Sequence, residues 1–252
     1  MRSQILLLFV FAICVAAVPR QAVAQAGPPL LTDDPDTPGT GRWEINVAWT
    51  LSQNRTSRLF GTPLLDINYG LGQRVQLKAE VPWLILKDQQ TGTQSGIGST
   101  NLGVKWRFLD KNRNGFAISA YPQLEIRTSA SSARRGLIEQ GAELRLPIEI
   151  SRELGPITIE AEVGYQFVQR EKDELVYGLA VGREINKRLE LLAEIHGTAK
   201  RDFADHEPIF NVGGRFKMSK HYTLLFSSGR SLRGAATGQP TLVAYAGWQF
   251  NF

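Results

Sequence analysis

The side chains able to do chemistry in this 252-residue chain are few and poorly spaced for catalysis. An acyl hydrolase needs a serine with a histidine in reach and a carboxylate or amide to orient that histidine. The histidines are His196, His206 and His221, and no G-x-S-x-G surrounds any serine. His196 follows Glu194 by two residues, which suits a hydrogen-bonded pair; no H-x-x-x-H or similar spacing offers a metal two ligands. Asp33, Asp34 and Asp36 crowd a proline-rich stretch, but not at calcium-loop spacing. That stretch reads as a solvated leader to the domain after it, or as a segment folded into that domain's mouth and narrowing it. Residues 92–98 (GTQSGIG) share a phosphate cradle's composition without the P-loop lysine, and read as a flexible loop. Asn54-Arg55-Thr56 fits a glycosylation sequon. The expectation is therefore no catalytic residue, no cofactor and no metal, in a protein that is not an enzyme.

The chain's opening suggests where it works. Arg2, the apolar run 5–18 and Ala22-Val23-Ala24 form a secretory signal peptide over residues 1–24. The run is too short to span a membrane, which takes about 20 residues. Cys14, the one cysteine, falls inside this leader, so the mature chain holds neither a disulfide nor a thiolate metal site. Lys and Arg total 29 against 24 Asp and Glu. Removing Arg2 and Arg20 leaves 27 − 24 = +3, too mild a charge to point to nucleic acid. No later stretch has the length of a transmembrane helix, so membrane residence after export would require a β-barrel.

From Trp43 onward the hydropathy period is two. Trp43, Ile45, Val47, Trp49 and Leu51 alternate with Glu44, Asn46, Ala48 and Thr50, and equivalent patterns recur down the chain. About twelve such segments can be counted: 43–51, 63–70, 75–83, 99–109, 116–127, 139–150, 157–167, 174–185, 189–197, 207–217, 222–230 and 241–252. Short connections mostly alternate with longer ones such as 52–62 and 84–98. An even strand count with short turns on one side and longer loops on the other is the pattern of a bacterial outer-membrane barrel. The predicted fold is all-β, an antiparallel transmembrane meander barrel over 43–252, preceded by a periplasmic segment at 25–42. Aromatics gather near strand ends, as interface girdles do. The last strand places Leu242, Ala244, Ala246, Trp248, Phe250 and Phe252 on one face and ends on an aromatic; Trp248, Phe250 and Phe252 are read as the assembly signal.

Facing the apolar positions toward lipid turns the charged ones inward. Candidate lumen-lining residues are Lys78, Glu80, Lys105, Arg107, Glu125, Glu143, Arg145, Glu160, Glu162, Glu194, His196, Arg215 and Lys217. About twelve strands lies between eight-stranded barrels filled by side chains and sixteen-stranded barrels with an aqueous channel. Two readings stay open: a narrow charged channel for small polar solutes, or a bore closed by mutually neutralising ion pairs.

The sequence resembles the outer-membrane family named for the meta-pathway of phenol degradation. The resemblance rests on PPLLTDDPDTPGTGRWEIN, on DINYGLGQRVQLKAEVPW and on GIGSTNLGVKWRFLD. It implies a single barrel in the bacterial outer membrane, an association with aromatic catabolism or solute uptake, and no catalytic residues. The expected partners are outer-membrane lipid, the barrel assembly machinery and a small solute. A structural barrel with a sealed bore and a lipid-active enzyme are the rival readings.

Overall fold

A strand that is apolar on one face and charged on the other needs two different media, and a sheet of such strands provides them by closing on itself. The structure is a computed structural model describing residues 27–169, 173–200, 206–233 and 239–252. The leader expected over 1–24 lies outside the described residues.

Among the described residues the strands are β1 (Trp43–Gln53), β2 (Ser57–Leu71), β3 (Val75–Asp88), β4 (Gly92–Ile97), β5 (Thr100–Leu109), β6 (Ala117–Ala120) and β7 (Gln123–Ile126), followed by β8 (Glu143–Leu154), β9 (Ile157–Val168), β10 (Glu174–Glu184), β11 (Leu189–Lys200), β12 (Ile209–Lys217), β13 (Tyr222–Ser231) and β14 (Leu242–Asn251). β4 and β5 both pair with β3 and form one stave broken at Gly98-Ser99; β6 and β7 both lie between β5 and β8 and form another, broken at Tyr121-Pro122. The strands thus make twelve antiparallel staves. β1 pairs with β14 from Glu44↔Asn251 to Gln53↔Leu242, closing the ring. The seam ends on reciprocal bonds between the backbones of Trp43 and Phe252, at 3.1 and 3.0 Å.

Burial is inverted relative to a soluble domain. Leu65, Leu77, Val104, Val163, Leu179, Leu191 and Val212 lie exposed on the outer surface, whereas Asn46, Asp66, Glu149, Glu160, Glu162 and Glu194 are buried inside. So continuous an apolar exterior suits lipid, not water. Ring pairs mark both rims: Trp43 with Tyr69 at 4.7 Å and Tyr222 with Phe250 at 5.5 Å on the short-turn side, and Tyr165 with Phe167 at 4.9 Å on the other.

Several boundaries differ from those read in the sequence. The stretches 52–62 and 84–98 are not long loops, since β2, β3 and β4 continue through most of them as tall hairpins joined at 54–56 and 89–91. Their inward positions there include Leu59, Leu84 and Leu86, as the register shows, so both faces are apolar and the period-two signal vanishes. GTQSGIG is accordingly mostly strand. The eighth strand runs from Glu143 to Leu154 instead of 139–150. The turn at 110–115 contains a short helix, Lys111–Asn114.

The faces can be tested directly. Val163, outward at the middle of β9 and 57% exposed, should lose about 2–4 kcal/mol on replacement by Arg. Gln166→Arg, inward on the same strand, should cost far less. Urea unfolding of both variants in lipid vesicles reads the difference; equal losses would contradict the assigned faces, and a larger loss for Gln166→Arg would mean that they are exchanged.

Candidate functional site

What occupies the inside of this ring is chain, not only side chains. Residues 27–38 lie inside the barrel: their tip reaches Glu194, midway along β11, and from there the chain descends past Arg107 and Lys111 to the short-turn rim where Trp43 begins β1. A backbone turn at the start, Gly27 N–H donating to the Thr32 carbonyl at 2.9 Å and Leu30 N–H to the Gly27 carbonyl at 3.0 Å, folds the tip back on itself.

The tip is held by carboxylates that accept from its backbone. Glu194 Oε1 and Oε2 receive the N–H groups of Leu31 and Thr32, each at 2.8 Å, and Glu162 Oε2 receives that of Asp33 at 3.0 Å. Such charge-assisted bonds in a buried setting are strong and leave few donors of the segment unsatisfied. On one flank the Arg215 guanidinium donates to the carbonyls of Gly27 and Pro28 while its Nη1 meets Glu190 at 3.3 Å. Ser227 donates to the Pro29 carbonyl at 2.7 Å.

The acidic residues of the segment find the bases of the wall. Lys105 donates to the Asp34 carbonyl, lies 3.9 Å from Asp33 and 3.5 Å from the fully buried Glu149, and its Nζ sits 4.4 Å from the centre of the Tyr121 ring. Asp36 accepts from Arg107 at 2.7 Å and from Lys111 at 3.5 Å, and Lys111 also meets Glu153 at 2.8 Å. Asp33 and Asp36 are thus counter-ions within the lumen, while the Asp34 carboxyl accepts the Asp36 N–H; among the described residues no cluster of His, Cys, Asp and Glu could hold a metal. At the rim the backbones of Gly39 and Gly70 touch, and a β-carbon on Gly70 would sit 1.8 Å from the Gly39 carbonyl oxygen, so only glycine fits there.

The remaining candidates divide by position. Lys78 pairs with Asp66 at 3.7 Å and Glu80 at 2.8 Å, and Lys217 with Glu184 at 3.6 Å, all within the wall. Glu160 is buried on β9. Above the segment, Glu125 and Glu143 face one another across β7 and β8, and with Arg145, Gln166, Asn101 and Gln123 line a polar cavity of about 160 Å³. His196 is buried, but its Nε2 has no hydrogen-bond partner, and the two Glu194 oxygens are engaged by the segment and by Asn211. Sequence reading missed Lys111, Glu153, Asn211 and Ser227. The run of bases at Lys105, Arg107 and Lys111 was the available signal that Asp33, Asp34 and Asp36 had partners.

Two carboxyl groups outside the staves have displaced titrations. At the rim, desolvation raises the Asp110 carboxyl, but Arg74 and Arg107 outweigh it and hold it below its ordinary value. Within the segment, burial pushes the Asp34 carboxyl up to about 7, opposed by Lys105 and Arg215 and reinforced by Asp36 and Asp33. Because the seated value lies above the free value of 3.8, protonated Asp34 favours seating: this contribution is complete below the free value and lost as pH rises through about 7. Any opening that requires the segment to leave should become more frequent on going from about pH 6 to about pH 8, as read by single-channel recording; Asp34→Asn should flatten that dependence.

A closed antiparallel ring of twelve staves, apolar outside and charged inside, is an outer-membrane-type β-barrel. The chain belongs to the family described as "Putative MetA-pathway of phenol degradation", which it matches over residues 32–248, a span that takes in most of the lumenal segment. Among solved structures it is similar to the COG4313 outer membrane channel from Pseudomonas putida F1, at 14% identity over 90% of this chain and 100% of that one, with a TM-score of 0.75. It is also similar to the KdgM porin (14% identity, 83% and 99% covered, TM-score 0.59) and the NanC porin (10% identity, 82% and 98% covered, TM-score 0.59). At these identities the likeness is one of fold. No curated protein sequence matches the chain.

Proposed function

We propose that this protein is an outer-membrane channel for small solutes, serving the catabolism of aromatic compounds that its family is named for, and that solute passes only when the segment 27–38 withdraws from the bore. The observation that carries this reading is how the lumen is filled. Its periplasmic half is occupied by a strand-free loop tied at the rim, held through a set of polar contacts that can exchange with water, instead of by large side chains rooted in the staves. A barrel built only as a scaffold needs no removable filling. That fold neighbours carry the words channel and porin supports the reading.

In this reading the barrel is inserted by the assembly machinery, with Trp248, Phe250 and Phe252 as its signal and lipid against the apolar belt. Purified chain in a planar bilayer should show a low baseline with discrete excursions and a modest cation preference from the acid-rich outer cavity. Absence of conductance at any voltage, with or without the segment, would establish the sealed scaffold instead.

A further inference from the structure

The charged lumen has an apolar wall. On the outer side of the seated segment, the inward positions of β2, β3 and β14 carry Leu59, Leu84, Val243 and Tyr245, and the floor is made by Leu30 and Leu31 at the tip of the segment. Together they line a half-open cleft of about 230 Å³. An apolar cavity of roughly 150 Å³ takes up benzene, so this one has room for a six-membered ring with a substituent. Across from the leucines stand Ser227 and Asn211. Asn211 is 2% exposed; its amide donates to Glu194 at 2.9 Å, and its Oδ1 has no hydrogen-bond partner. A buried acceptor left unpaired is costly, and a donor reaching it from the cavity would remove that cost. The Tyr245 hydroxyl is likewise buried without a partner.

We infer that this cavity is a binding site for a neutral, single-ring molecule bearing one hydroxyl group. The ring lies against Leu59, Leu84 and Val243 and rests on Leu30 and Leu31, and the hydroxyl donates to Asn211 Oδ1. Anions are disfavoured by the Glu194 carboxylate, which holds the Leu31 backbone at the floor, and sugars would leave most of their hydroxyls unpaired on the leucine wall. The site deepens the channel reading and rests on it for its purpose. It places the solute on the very leucines that must move for passage.

The test uses 4-fluorophenol as probe and reads its ¹⁹F NMR line width against the full chain in detergent micelles. Wild-type protein should give saturable broadening beyond that of micelles alone. Leu84→Trp, which fills the cavity, should weaken binding at least about tenfold, fluorobenzene should bind about two- to tenfold more weakly for want of the hydroxyl, and 4-fluorobenzoate should not compete. Leu59→Ser, a smaller change, should weaken binding while heat modifiability on gels confirms an intact barrel. No saturable broadening, or equal broadening by wild type and a folded Leu84→Trp chain, would overturn the site. Bilayer recording separates this from the channel reading: excursions without probe binding overturn the site alone, and probe binding by a chain that never conducts leaves the site and overturns the channel.

Discussion

A chain lacking residues 27–38 is expected to insert normally and to hold continuously, in planar bilayers, the conductance that the full chain reaches only in brief excursions. The staves do not depend on the segment for closure, because the β1–β14 seam and the rim bonds of Gly41 and Gly70 lie outside it. What the deletion removes is the filling. Glu194, Glu162 and Arg215 lose their backbone partners and become water-facing groups around an open bore. The mean current should rise several-fold, and cation preference should fall, because the deletion removes Asp33, Asp34 and Asp36 and no base, and so frees Lys105, Arg107 and Lys111 within the bore. A deleted chain with the full chain's current would show that the constriction lies elsewhere.

The second large effect concerns stability. Lys105 is the cation nearest Glu149, a carboxylate with no exposed surface that otherwise has only the Ser119 hydroxyl. Lys105→Met should cost about 3–5 kcal/mol, since removing one member of a buried pair strands the other charge, and it also takes away the cation over the Tyr121 ring. Lys105→Met combined with Glu149→Leu should recover most of the loss, because an apolar replacement of both members is close to neutral. Urea unfolding in lipid vesicles reads both. A loss under about 1 kcal/mol for the single variant would mean that Glu149 is solvated in the folded barrel.

The barrel was legible because lipid outside and charge inside impose alternation on every stave, and alternation survives in a sequence without any partner being known. The closing strand and the inward phase of Lys105, Arg107, Glu162 and Glu194 followed from the same rule. It fails where both faces are apolar, as at Leu84-Ile85-Leu86, and those are the residues that build the cavity; a lumen inferred from its charges alone looks hostile to a phenolic solute. The lumenal segment was visible only as three aspartates among prolines. Nothing local distinguishes a solvated stretch from one whose backbone is received by Glu194, more than 160 positions away. The pairing of His196 with Glu194 failed for the same reason, since the segment had taken both oxygens.

The central claim is that solute passes only when the segment withdraws, and a reversible tether tests it most directly. A β-carbon placed on Gly178 would lie 2.5 Å from the Thr32 hydroxyl oxygen, so Thr32→Cys with Gly178→Cys, in a chain also carrying Cys14→Ser, brings two sulfurs within bonding reach. Single-channel recording of this variant, oxidised and then reduced in the same bilayer, is the measurement. The oxidised chain should stay at the low baseline with no excursions, and reductant should restore them. Excursions of equal frequency and size in both states would contradict the account.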